Sequence, residues 1–296
     1  MPPPLRLATR KSPLAQRQAA IIAEALAKVG ALTEIRTFST DGDEIDDRPL
    51  AEVGGKELFV NRLRRALLAD EADLAVHSLK DMAAVEAPTF NLAVGFAEDP
   101  RDAMILPPSS LPAADLSALP AGLRVGTCSP RRAALLAEYA PHLSAVFMRG
   151  NIQTRHNKLL SGACDVLLLA AAGLHRLDMT GLISAYLPAQ LFIPAPGQGI
   201  LAMECLAARA DICRWLLLIN NERDLCRARA ERAFAAAIGG DCHTPLGAFA
   251  EVLAEEVCLR AFYAGDDGGF RAGEFFAPRK NPELAGQKAA AALKIV

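Results

Sequence analysis

Arginines gather where helices should begin. Ser129-Pro130 reads as a helix start, serine as N-cap and proline in the first turn, and Arg131 and Arg132 follow at once. Ser12-Pro13 repeats the pattern behind Arg10 and Lys11, and Asn151 is a third N-cap, flanked by Arg149 and Arg155. The positive end of the peptide dipole lies at a helix N-terminus, so cations there are mildly unfavourable unless an anion joins them. One such start means little. Three point to a bound polyanion held by free N–H groups and guanidinium forks together. Arginine makes up 24 of the 32 basic residues, a bias for which genome composition would be the better explanation if they were scattered.

The stretch Asp73-Leu74-Ala75-Val76-His77-Ser78-Leu79-Lys80-Asp81 runs an apolar strand into a polar cluster. Ligands of open α/β sheets sit beyond the carboxyl ends of strands, which makes Asp81 a candidate catalytic carboxylate and Lys80 a candidate anion contact. Taken alone, a capping Asp at a turn is the simpler reading, and His77 reads as a packed or hydrogen-bonded residue and not as a base. Gly239-Gly240-Asp241-Cys242-His243 displays a thiol on a Gly-rich turn between a helix and a strand. The other six cysteines (Cys128, Cys164, Cys205, Cys213, Cys226 and Cys258) read as small hydrophobes on helix or strand faces. A Cys–His hydrolase needs its histidine across a cleft, so His243, next in sequence, adds little.

Other motifs fail on context. Gly197-Gln198-Gly199 follows a Pro-rich crossing, without the strand–turn–helix unit of a dinucleotide fingerprint. Asp41–Asp46 lacks the glycine and terminal glutamate of a calcium loop, and the cysteines show neither Cys-x-x-Cys spacing nor a disulfide framework; no metal site is expected. Residues 41–56, with Gly42, Pro49, Gly54 and Gly55, read as a mobile lid.

The elements that must position these groups alternate. Strands are predicted at 5–9, 35–40, 74–77 and 92–96, with helices at 13–29 and 57–69. After Glu98-Asp99-Pro100, strands at 123–126, 145–148 and 166–170 enclose helices at 130–139 and 152–160. A Pro/Gly-rich crossing at 193–199 leads to a strand at 200–205 and helices near 207–218 and 221–238. Period-two runs at 247–253, 257–263 and 270–276 and a last helix then form a small α+β block. With 296 residues and 52% hydrophobic content the chain is long enough for two or three cores.

Composition narrows the classes. A net charge of −2 argues against a general nucleic-acid coat, and 5% aromatics against base-stacking platforms. The longest apolar run, Val166–Leu174, is too short to span a bilayer, and the N-terminus has no apolar signal core; a soluble cytoplasmic protein is expected.

Several stretches, in order, resemble the porphobilinogen deaminase (hydroxymethylbilane synthase) family. They are Ala8–Ala15, Pro49–Lys56, Ala75–Asp81, Arg149–Arg155, Ala172–Leu177, Pro196–Gly199 and Gly239–Cys242, spread over about 240 residues. The resemblance implies an α/β protein: two periplasmic-binding-protein-like α/β domains, the first discontinuous (1–98 and 197–218), the second 99–196, and a small α+β domain at 219–296 carrying the cofactor cysteine. It implies a transferase that condenses four porphobilinogen molecules head to tail, losing ammonia each time, on a dipyrromethane primer joined to Cys242 by a thioether; water then releases hydroxymethylbilane for haem biosynthesis. Asp81 would be catalytic. Cys242, Lys80, Arg131, Arg132, Arg155 and Ser129 would hold the cofactor, and Arg10, Ser12, Arg149, Arg176 and Gln198 the substrate. Porphobilinogen would be the partner of a monomer, with no nucleic acid and no membrane.

Every pyrrole unit carries an acetate and a propionate, which suits the arginine-rich helix starts. The chain departs from the family pattern at Cys128-Ser129-Pro130 (commonly Ser-Ser-Leu), at Glu57 and Asp241 (commonly Gly), and at Met82-Ala83 (commonly Val-Pro). Two other classes compete: a non-catalytic small-anion-binding protein of periplasmic-binding type, and a cysteine-dependent acyl-transfer enzyme using Cys242.

Overall fold

A computed structural model describes residues 3–39, 57–85, 87–108, 110, 112–240, 244–265 and 268–294. It divides into two compact units, Met1–Ala97 with Ile200–Leu225, and Glu98–Gly199 with Cys226–Val296. The expected lid and Cys242 itself fall outside the described residues.

The first unit holds β1 (Leu5–Arg10), α1 (Pro13–Lys28), β2 (Thr33–Phe38), α2 (Glu57–Leu68), β3 (Leu74–Ser78) and β4 (Phe90–Gly95), and later β10 (Leu201–Leu206) and α6 (Ala210–Ile219). Its five-stranded sheet runs β2-β1-β3-β10-β4; β1 is parallel to β2 and β3, while β10 is antiparallel to β3 and β4. Strand alternation sorts the two faces. Leu7, Leu74 and Val76 join Ala19, Ile22 and Leu26 of α1, whereas Ala8 and Ala75 meet Leu63, Ala66 and Leu67 of α2.

The second unit contains β5 (Asp102–Ile105), β6 (Arg124–Thr127), α3 (Pro130–Tyr139), β7 (Ser144–Phe147), α4 (Ile152–Leu160), β8 (Val166–Ala170), α5 (Ala171–Arg176) and the short β9 (Ala185–Tyr186). The sheet order is β7-β6-β8-β5-β9, with β6 parallel to β7 and β8 and β5 antiparallel to β8 and β9. From Cys226 onward, α7 (Glu222–Ile238) belongs to this unit, with the antiparallel sheet β11 (Leu246–Val252), β12 (Glu256–Ala264) and β13 (Phe270–Pro278), and α8 (Glu283–Leu293). Phe262 of β12 shares a core with Met104, Val125, Val166 and Ile193. The expected fold class is met: two mixed α/β sheets and a three-stranded α+β region.

Three of the strands and helices escaped sequence reading: β5, α5 and the two-residue β9. β5 is four residues that end just before Leu106-Pro107-Pro108, too short for a period, and α5 is six residues, fewer than two turns. The strand expected at 35–40 is Thr33–Phe38, and α6 begins at Ala210 instead of 207.

A polar group buried inside the first sheet gives a stability prediction. Glu204 is 2% exposed and takes a bidentate pair from Arg64, Nε to Oε2 at 3.0 Å and Nη2 to Oε1 at 2.6 Å. Buried His77 places its Nε2 3.4 Å from Oε2, a long polar contact that suits the packed or hydrogen-bonded residue its sequence context implied. Burial pushes the Glu204 carboxyl up, but His77 and Arg64 outweigh it and hold it at about 2. A depressed folded-state value stabilises the fold above the ordinary carboxylate range, and that contribution is lost as pH falls toward 2. Arg64→Met should cost about 2 kcal/mol at neutral pH, less than for a fully buried pair because Arg64 keeps some solvent. Denaturant melts from pH 7 down to acid should show the gap to the parent closing; a constant gap would contradict it.

Candidate active site

Parallel strands end on one edge, so each sheet collects its helix starts there. In the first unit β1 ends at Arg10, and Ser12 caps α1, its Oγ accepting from Ala15 N at 3.3 Å. Parallel to it, β3 ends at Ser78 and turns at once into a 3-10 turn, Leu79–Asp81, held by Leu79 N donating to Ile200 O at 3.0 Å. Gln18, buried on α1, donates its amide to Ser78 Oγ at 2.9 Å and so ties the capped helix to that turn. Lys80 and Asp81 are half-buried on this edge. The carboxyl ends of neighbouring strands therefore carry Arg10, Ser12, Lys80 and Asp81.

The second unit repeats the arrangement. β6 runs through exposed Cys128 to Ser129, which caps α3 by accepting from Arg132 N at 3.4 Å. β7 leads to Arg149 and to Asn151, which caps α4 by accepting from Thr154 N at 2.8 Å; Arg155 follows in the first turn. β8 passes directly into α5, which ends at Arg176. All three expected N-caps are present.

β5 runs the other way, so its first residue, Asp102, lies opposite Ala170 on this same edge. Asp102 is fully buried. Its Oδ2 accepts from Arg131 Nη2 at 2.7 Å, and its Oδ1 accepts from Arg132 Nη2 at 2.7 Å and Gln198 Nε2 at 3.0 Å. The two guanidiniums are buried as well and spend their other arms on backbone: Arg131 Nη1 on Ile193 O at 2.8 Å, Arg132 Nη1 on Leu168 O at 3.0 Å. Complete burial pushes the Asp102 carboxyl up, but the two arginines and Gln198 more than reverse this and hold it well below the usual carboxylate range.

The sequence pointed Arg131 and Arg132 at a bound anion; the structure adds that part of their charge is met by the protein's own carboxylate. The balance still leaves two cations on one anion. Among the described residues, neither Arg131 Nε nor Arg132 Nε has a hydrogen-bond partner. Arg149 and Arg176 are buried too. Arg176 Nη2 donates to Gly199 O at 2.5 Å, and burial, set against the opposing pull of Glu98, brings its pKa down to about 10. Gln198 also donates to Pro100 O at 2.7 Å. Asp102 left a faint signal in the sequence, a lone carboxylate heading the apolar run Ala103-Met104-Ile105.

The turn before Cys242 has a structural cause. Gly239, at φ +73°, ends α7; Gly239 N bonds Ala236 O and Gly240 N bonds Ala235 O, both at 3.0 Å, the paired bonds of a Schellman cap. A Cβ on Gly240 would meet Leu246 Cδ2 at 2.4 Å. Cys164 is buried as expected, while Cys128 is exposed, against expectation, because it lies in the β6–α3 loop and not on an element face.

Residues 5–214 match the family model described as porphobilinogen deaminase, dipyrromethane cofactor binding domain, and residues 225–294 match the porphobilinogen deaminase C-terminal domain. The chain belongs to the porphobilinogen deaminase family. A porphobilinogen deaminase of Nitrosomonas europaea is 40% identical over 99% of this chain and 95% of its own length, and one of a Roseiflexus species is 41% identical over 89% and 87%. Among solved structures, substrate binding domain 2 of Lactococcus lactis GlnP is 13% identical, with a TM-score of 0.48, over 79% of this chain and 90% of its own. No helix among the described residues is long and apolar enough to cross a membrane.

Proposed function

We propose that the protein is a hydroxymethylbilane synthase that joins four porphobilinogen molecules, releases ammonia at each addition, and frees the linear tetrapyrrole with water. The observation that carries the reading is the buried arginine pair at the N-terminus of α3: two guanidiniums, one protein carboxylate and two unspent Nε–H donors. A site built with more positive than negative charge suits a ligand carboxylate. Bound there and tethered to Cys242, a dipyrromethane supplies the pyrrole carbon to which new units are joined.

Arg131, Arg132, Arg155, Lys80 and Ser129 hold the acetate and propionate groups of that primer. Arg10, Arg149, Arg176 and Ser12 serve the incoming substrate and the lengthening chain. Gln198 acts from one step back, since its amide is committed to Asp102 and Pro100. Asp81 accepts pyrrole N–H bonds and stabilises the positive charge that builds as ammonia departs from the substrate. Residues 219–296 act as the thiol-bearing domain, and the enzyme works as a cytoplasmic monomer.

Intact mass under denaturing conditions tests the reading: an excess over the polypeptide equal to two substituted pyrroles is expected, and a bare polypeptide after incubation with porphobilinogen contradicts it. The double replacement Arg131→Leu/Arg132→Leu should lower adduct formation by about tenfold or more, the scale of losing charge-assisted anchoring worth a few kcal/mol. Parent-like loading of that variant would remove the pair from the site.

A further inference from the structure

We infer that Asp102 is a positioning residue for the arginine pair, and that a chain of buried bonds through Gln198, Arg227 and Glu231 fixes the helix leading to Cys242 onto that same carboxylate. The inference rests on the reading of Arg131 and Arg132 as carboxylate-binding residues.

A guanidinium is a planar fork, and its usefulness depends on the direction in which its free N–H points. Each arginine of the pair has its Nη1 on a backbone carbonyl and its Nη2 on one oxygen of Asp102, so three points orient each plane: stem, carbonyl and carboxylate. Asp102 is the shared point. It thereby sets the orientation of the two remaining Nε–H donors relative to one another, and it lowers the repulsion between two buried cations.

The bonds continue from Asp102 into the C-terminal region of the same unit. The Gln198 side-chain amide donates to Asp102 Oδ1, and the Gln198 backbone carbonyl accepts from Arg227 Nη2 at 2.7 Å. Arg227 Nε bonds Glu231 Oε1 at 2.7 Å on the same helix. Glu231 is fully buried and also accepts from Ala250 N of β11 at 2.9 Å and, on Oε2, from Gly197 N at 2.6 Å. Glu231 thus joins α7, β11 and the 197–199 crossing. Two turns later α7 ends in the Gly239-Gly240 cap that delivers the chain to Cys242. The bonds that orient the arginines and those that seat α7, the helix preceding Cys242, form one network, so a shift of the shared carboxylate is passed to both.

The test uses the full chain, purified without adduct, incubated with porphobilinogen and followed by intact mass, with steady-state ammonia release and a thermal melt beside it. Asp102→Asn should slow adduct formation by about tenfold or more, the scale of a displaced binding group. In its loaded fraction KM should rise while kcat stays within about threefold, a split that a general loss of stability does not produce. The melts should change sign with background: Asp102→Asn lowers the midpoint of the parent, by leaving two cations uncompensated, and raises that of Arg131→Leu/Arg132→Leu, by removing a stranded carboxylate. Parent-like loading and KM in folded Asp102→Asn overturns the inference. If Asp102→Asn does not fold, Gln198→Met, which keeps both ion pairs and removes the amide, carries the same measurement: slower loading with raised KM supports the network, and parent values overturn it. Parent-like loading of the double-leucine variant would instead overturn the reading on which the inference rests.

Discussion

Asp81→Asn is expected to bind porphobilinogen and to release ammonia about 10²-fold more slowly or worse, the usual scale for losing a preorganised electrostatic group. Asp81 closes the 3-10 turn at the end of β3, half-buried on the edge shared with Arg10 and Ser12. Its backbone is set by Leu79 N on Ile200 O and by the Gln18–Ser78 bond, neither of which involves the Asp81 carboxylate. The substitution preserves size and one acceptor oxygen and removes the charge. A residue that merely caps the turn would tolerate asparagine, and activity would survive. A residue that answers developing positive charge would not, and Asp81→Glu, with charge retained and reach altered, should fall between. Ammonia release by both variants, alongside a thermal melt, separates the two roles. Near-parent turnover in Asp81→Asn would take Asp81 out of the mechanism.

Cys242→Ser should yield a folded protein with no covalent adduct and no measurable turnover. A hydroxyl is far less nucleophilic than a thiolate and forms no thioether. The fold should survive, since the Schellman bonds of Gly239 and Gly240 involve only backbone. Cys128 supplies the necessary control, being exposed in the loop before α3 and three residues ahead of Arg131 in sequence. Cys128→Ser and Cys164→Ser should both keep the adduct. Cys164 is buried, its Sγ 3.9 Å from Met148 Sδ, and burial pushes its thiol up, away from reactivity. Adduct mass persisting in Cys242→Ser, or vanishing in Cys128→Ser, would move the attachment site.

Local chemistry alone determined much of this protein. Ser-Pro and Asn starts announce helix N-termini because capping is a matter of three or four consecutive residues, and α1, α3 and α4 begin where those residues stand. Period-two and helical spacing placed most of the strands and helices, and the arginines were legible at helix starts for the same reason. Short elements were not legible: β5 and α5 lack the length for any period to emerge.

The charge balance of the site was decided only by tertiary structure. Whether Arg131 and Arg132 face solvent, a ligand or a carboxylate depends on the direction of β5. Its antiparallel run beside β8 brings Asp102 to the carboxyl edge; a parallel run would have placed it at the opposite end. The partners are 29 and 30 residues apart, and Gln198 joins from 96 residues away. No local pattern encodes such a pairing, because it arises when packed sheets bury polar groups that must then find one another. The sequence alone placed two arginines at a helix start; the fold made them a buried pair sharing one carboxylate.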